Sequence, residues 1–207
     1  MNINVHLLMR KILVCSLLGI ILSVIIAFFW LQELRYNLPT PLPAKYQVVY
    51  TGESIRAPAD LKTDPSKPVF LHFFNPDCPC SKFNIKHFKE LQKKYESKMD
   101  FVIVVISDKI FTSEQIQKRF DTPVAISFDT SIARACGVYS TPQAALIDRN
   151  NHLYYRGNYN KSRYCTDKKT NYAELAIEGL LHNNRQLVFS PEALEAYGCE
   201  LSINKNS

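Results

Sequence analysis

From Ile12 to Leu31 the chain runs without a charge, ILVCSLLGIILSVIIAFFWL, about the length a helix needs to cross roughly 30 Å of hydrocarbon. A cleavable signal has a shorter apolar run of about 7–15 residues followed by small residues. Here Ala27 leads instead into Phe28, Phe29 and Trp30, and a tryptophan at the end of a span suits the membrane interface. The pattern therefore predicts an uncleaved transmembrane anchor over 12–31, with a cleavable signal as the alternative. Arg10 and Lys11 flank the near end, Glu33 and Arg35 the far end. That bias keeps residues 1–11 cytoplasmic and sends the rest outward. Pro39, Pro41 and Pro43 then alternate along a linker over 32–44, which disfavours helix and predicts an extended spacer.

Beyond the linker the pattern shortens. Tyr46 to Tyr50 predicts a first strand, and the proline-punctuated stretch 51–68 a loop. Val69 to Phe74 and Phe101 to Ile106 are nearly continuous apolar runs, as expected of central strands buried on both faces. Between them, Phe83, Phe88, Leu91 and Tyr95 fall near helical spacing among lysines, predicting an amphipathic helix from Ser81 to Ser97. Thr112 and Gln115 have capping-box spacing at the start of a helix ending near Phe120. Strands follow at Val124–Phe128, Gln143–Ile147 and Leu153–Arg156, with a helical turn at Ser131–Ala135 and a last long helix at Tyr172–Leu181. Strands alternating with helices and then a hairpin imply an α/β domain with a mixed sheet over 45–185. Residues 186–207 are left as a C-terminal tail.

Composition narrows the function. A chain of 207 residues suits one compact domain plus appendages. The net charge of +6 is too modest to suggest a nucleic-acid binder. Of the six cysteines, Cys15 lies in the apolar span and Cys136 in an apolar-flanked run, where a buried small hydrophobe is expected. Cys78, Cys80, Cys165 and Cys199 remain, enough for two pairs, and disulfides persist outside the cytosol.

The chemistry concentrates at Asn75-Pro76-Asp77-Cys78-Pro79-Cys80-Ser81, between a buried strand and a helix. A redox cysteine must have its thiolate favoured and its sulfur reachable. Unpaired N–H groups at a helix start favour negative charge, and Pro79 fits a first turn because it loses no helical hydrogen bond there. A structural zinc would want four ligands where only two are clustered, His72 and His87 being the nearest histidines. FLHFFNPDCPCSKF resembles the active-site strand, turn and helix of thioredoxin-like proteins, with Ser140-Thr141-Pro142-Gln143 before a strand as a second motif. The run from Ala133 to Ile147, ending in the turn Asp148-Arg149-Asn150, is similar to membrane-anchored thioredoxin-like and redoxin-type proteins of the bacterial periplasm. The likeness covers roughly 68–181. It implies a thioredoxin-like mixed sheet flanked by helices, and a cis-proline at Pro142 facing the cysteines. It also implies a single-pass inner-membrane protein with its domain in the periplasm, catalysing thiol-disulfide exchange on protein thiols and disulfides together with a redox partner protein.

The resemblance breaks at the spacing. Thioredoxins carry C-x-x-C, and here Ser81 stands at the usual resolving position. Cys78 is expected to be the nucleophile and Cys80 its resolver, in a tight ring that should make the bond oxidising. His72 falls where thioredoxins keep a buried acidic residue, and is a candidate proton acceptor with a core role as the alternative. Cys165 and Cys199 flank the last helix and are expected to form a structural disulfide, or else a second redox relay exchanging with Cys78 or Cys80. No organic cofactor is needed. Two other readings keep the fold: a copper-binding metallochaperone using Cys78 and Cys80, and a non-catalytic adaptor.

Overall fold

The computed structural model describes residues 2–55, 63–162, 164–184 and 186–201. The chain divides into two compact units between Leu38 and Pro39. The first is a single helix, α1 (Asn2–Asn37), whose segment His6–Gln32 is long and apolar enough to cross a membrane. Its apolar side chains, from Leu7 to Leu31, are exposed, as a helix needs if lipid rather than protein is to cover it.

The second unit is built on a five-stranded sheet in the order β3-β2-β1-β5-β6. Strand β1 (Val69–Phe74) is central, with β2 (Asp100–Val105) and β3 (Ala125–Ser127) parallel on one side. On its other side β5 (Gln143–Ile147) and β6 (Leu153–Gly157) run antiparallel. Because side chains alternate along a strand, β1 serves two cores. Phe70 and Phe74 pack with Phe88, Leu91 and Tyr95 of α3 (Ile85–Tyr95), Phe120 of α4 (Ser113–Phe120), and Ala173 and Ile177 of α6 (Tyr172–Leu181). Leu71 and Phe73 pack on the opposite face with Ile132 and Ala133 of α5 (Ser131–Ala135) and with Leu201. This is the thioredoxin-like arrangement, a mixed sheet with helices on both faces.

Three local outcomes depart from the sequence pattern. The helix expected over 81–97 is two: α2 (Pro79–Phe83) and α3, divided at Asn84. No strand forms over 46–50. Tyr46 instead donates its hydroxyl to the Gly137 carbonyl (2.8 Å), and Val49 packs on the face that α5 covers. Gly137, at φ +67, could take a Cβ only at 3.1 Å from that of Val49, so both its backbone and its closeness call for glycine.

The third departure is the stretch set apart as a tail. Residues 186–201 carry α7 (Pro191–Leu194) and β7 (Cys199–Glu200) and bury Ala193, Ala196 and Leu201. Strand β7 pairs antiparallel with β4 (Ser140–Thr141), a second, two-stranded sheet. Apolar burial draws the segment in, and Thr40 fastens it. The Thr40 amide donates to the Ala196 carbonyl (2.7 Å), and the Thr40 hydroxyl both accepts from the Gly198 amide (3.1 Å) and reaches the Gly198 carbonyl (3.2 Å). The Ala196 amide donates in turn to the Tyr139 hydroxyl (3.0 Å).

Candidate functional site

Strand β1 delivers the chain to a tight, well-tied loop. The Asn75 side chain accepts from the Asp77 amide (2.9 Å), and the Cys78 amide donates to the Asn75 carbonyl (3.1 Å). Lys109 holds the Asp77 carboxylate (3.1 Å), and Arg119 donates to the Pro76 carbonyl (3.2 Å). Cys78 caps α2 with extended backbone, followed by Pro79 in the first turn, where proline is tolerated because the first amides have no helical partner. Ser81 is fully buried and accepts from the Asn75 amide (3.3 Å). The position that would carry a resolving thiol in C-x-x-C is thus taken up in holding the loop.

Cys78 is bonded to Cys199, 121 residues away, with S–S 2.01 Å and Cα–Cα 6.2 Å. Cys165 is a free thiol, so the expected bridge between Cys165 and Cys199 is not formed. The reason is the docking of β7, which sets Cys199 directly across from Thr141 beside the start of α2. Cys165 instead points to the Asn84 carboxamide (3.4 Å). Nor is the bond the expected one to Cys80, and the tight-ring argument for an oxidising C-x-C bond does not apply to it. Cys80 stays close all the same: the sulfurs of Cys78, Cys80 and Cys199 lie within 4.8 Å of one another. Cys78 and Cys80 are only 3% and 6% exposed.

The loop after β4 forms the other wall. The Thr141–Pro142 peptide is cis, and the Thr141 carbonyl oxygen lies 3.6 Å from Cys78 Sγ. A disulfide sulfur has no proton to give, so in this state the approach is a contact; a Cys78 thiol would donate to that oxygen. Gly198 lets the two short strands meet, since a Cβ there would lie 2.3 Å from the Thr141 carbonyl oxygen. The Ser140 hydroxyl donates to the Cys199 carbonyl (3.2 Å).

His72 stands apart in character. Its ring is fully buried among Phe74, Phe88, Phe120 and Tyr159, with Nδ1 bonded to the Tyr159 hydroxyl (2.6 Å) and Nε2 without a partner among the described residues. Burial drags its pKa down to about 3, so the ring stays neutral and is too weak a base to take a thiol proton near neutral pH. The ring sits inside the core, packed on those aromatic side chains. Burial also pushes Cys136 and Cys165 up to about 12, which favours the protonated thiol over the thiolate.

Sequence reasoning missed the partner of Cys78. The signal available was Gly198 immediately before Cys199, since an isolated glycine in an extended segment marks close backbone approach.

Residues 46–200 match the family model described as a domain of unknown function, DUF6436. Among solved structures, a hypothetical protein from Sinorhizobium meliloti resembles the chain at TM-score 0.56 and 17% identity, covering 75% of this chain and 95% of its own. An uncharacterized conserved protein from Geobacillus kaustophilus does so at 0.53 and 18%, covering 78% and 91%. A putative thiol:disulfide interchange protein DsbE from Chlorobium tepidum matches at 0.49 and 20%, covering 65% and 99%. At these identities the first two likenesses speak to the fold alone. No curated protein matches.

Proposed function

The chain belongs to the DUF6436 family, and from that premise we propose that it is a membrane-anchored thiol-disulfide oxidoreductase whose redox couple is Cys78 and Cys199. The observation that carries the reading is the Cys78–Cys199 bond, lying against the Thr141–Pro142 turn with a third thiol in reach. In the reducing direction the Cys78 thiolate attacks one sulfur of a substrate disulfide. That S–S bond breaks, one substrate sulfur leaves as thiolate, and the other stays bonded to Cys78. The Cys199 thiolate then attacks Cys78 Sγ, the second substrate thiolate leaves, and the Cys78–Cys199 bond returns with two electrons passed to the substrate. The oxidising direction is the reverse, and a redox partner protein resets the pair. Pro142 and Thr141 position Cys78.

The apolar helix His6–Gln32 is the anchor in this reading. Arg10 and Lys11 hold its start in the cytoplasm, which puts the domain in the periplasm of a bacterial inner membrane, a compartment where a disulfide persists. The test is trapping, with the full chain in detergent and insulin as the disulfide-bearing model substrate. The Cys199→Ser variant should accumulate a mixed disulfide with insulin on Cys78, and Cys78→Ser should accumulate none. An equal adduct on Cys78→Ser removes the nucleophile assignment, and an adduct on Cys80→Ser in place of Cys199→Ser returns the resolving role to Cys80.

A further inference from the structure

We propose that the reduced form of the site is a three-thiolate receptor for a soft monovalent metal ion, Cu(I), held by Cys78, Cys80 and Cys199. The three sulfurs come from parts of the chain 121 residues apart, two from the start of α2 and one from β7, yet all lie within 4.8 Å of one another. A metal–thiolate bond of about 2.3 Å in a trigonal arrangement separates the sulfurs by roughly 4 Å. The bond between Cys78 and Cys199 now holds two of them at 2.01 Å. Two electrons from a thiol donor break that bond, and the freed sulfurs part to non-bonded contact, which is close to the trigonal separation.

The donor set selects the ion. Among the described residues no histidine or carboxylate joins the cluster, and the nearby Asp77 carboxylate is held by Lys109. A structural zinc site wants four ligands, and harder cations want oxygen, whereas a sulfur-only set matches Cu(I). Cys78 and Cys80 are buried, which suits an ion that needs no water ligands, and Cys199 is half-buried, leaving a way in. As each cysteine binds, its thiol proton passes to solvent. Metal and disulfide therefore exclude each other, because oxidation withdraws two of the three ligands. The inference requires only that the Cys78–Cys199 bond be reducible, not that the protein turn over a protein substrate.

The test titrates Cu(I) into the full chain in detergent, reduced by a phosphine and kept anaerobic, in competition with bathocuproine disulfonate. The reduced chain should bind one ion, with three sulfurs in its copper-edge X-ray absorption, and the oxidised chain none. Cys80→Ser retains the Cys78–Cys199 bond before reduction, so β7 is in place when the measurement starts; it should bind about a hundredfold more weakly or worse. Cys199→Ser should lose as much, and Cys136→Ser and Cys165→Ser nothing. Equal affinity in the reduced wild type and Cys80→Ser, or equal binding by the oxidised chain, overturns the proposal. Insulin exchange on the same copper-free preparations separates the two readings: exchange without copper binding sinks this one alone, and copper binding without exchange sinks the oxidoreductase.

Discussion

Cys78, Cys80 and Cys199 gather where α2 begins, whereas Cys136 closes α5 and Cys165 sits in a loop beside Asn84. Burial does not separate the two groups, since Cys78 and Cys80 are nearly as covered as Cys136. What separates them is company. Each cysteine of the first group has another sulfur in reach, and exchange needs a second sulfur for a thiolate to attack. Cys136 and Cys165 have only burial, which raises their pKa to about 12 and keeps them protonated.

The strongest way to break this contrast is to remove one member of each group. Cys199→Ser opens a covalent loop that spans 121 residues of sequence, and the chain-entropy model puts the loss at up to about 5 kcal/mol. Cys165→Ser should lose far less. Urea unfolding of the full chain in detergent, followed by near-UV circular dichroism with and without reductant, measures both. Equal losses in the two variants would mean that the bond does not brace the fold.

A smaller change tests whether docking of β7, rather than the bond alone, creates the site. Gly198→Ala brings a Cβ to 2.3 Å from the Thr141 carbonyl and 2.9 Å from the Ser140 hydroxyl. Both contacts are with the chain of β4, so one strand has to move. The expected cost is about 1–3 kcal/mol, together with faster reduction of the Cys78–Cys199 bond by an external thiol. Unchanged stability and unchanged reduction kinetics would show that the strands meet more loosely than the structure has them.

The smallest expected signal comes from the isolated thiols. A raised pKa keeps a thiol protonated until the pH approaches the new value, so at pH 8 Cys136 and Cys165 should be thiolate at a level of only about 10⁻⁴. Alkylation by iodoacetamide, read by mass spectrometry, should be correspondingly slow and rise about tenfold per pH unit. Rapid labelling of either at pH 8 would erase the difference between the groups.

Much of the frame is legible in the sequence. Runs such as Val69–Phe74 carry an unmistakable buried-strand pattern, and Thr112 with Gln115 forms the capping box that its spacing implies. The junction at Cys78 follows from a strand and a helix meeting there. The helix break at Asn84 was not legible, because the apolar spacing continues across it. The two-residue strands β4 and β7 were invisible, since two residues have no period. With them went the pairing of Cys78, as five cysteines outside the span admit many connectivities and only tertiary docking chooses among them. The environment of His72 was equally hidden, since a histidine in a strand does not reveal that Tyr159 and three phenylalanines close over it.

The placement of Cys199 on the last strand makes redox state and folding two readings of one equilibrium. Every strand of the main sheet except β1 lies between the bonded cysteines. By linkage, whatever the bond adds to the stability of the fold, the fold returns to the bond. If that share is about 5 kcal/mol, the folded domain makes its disulfide harder to reduce than the same pair in an unfolded chain by roughly 100 mV. Anything that pries β7 from Ser140 and Thr141, a docking protein included, then raises the reduction potential of Cys78 without touching its sulfur.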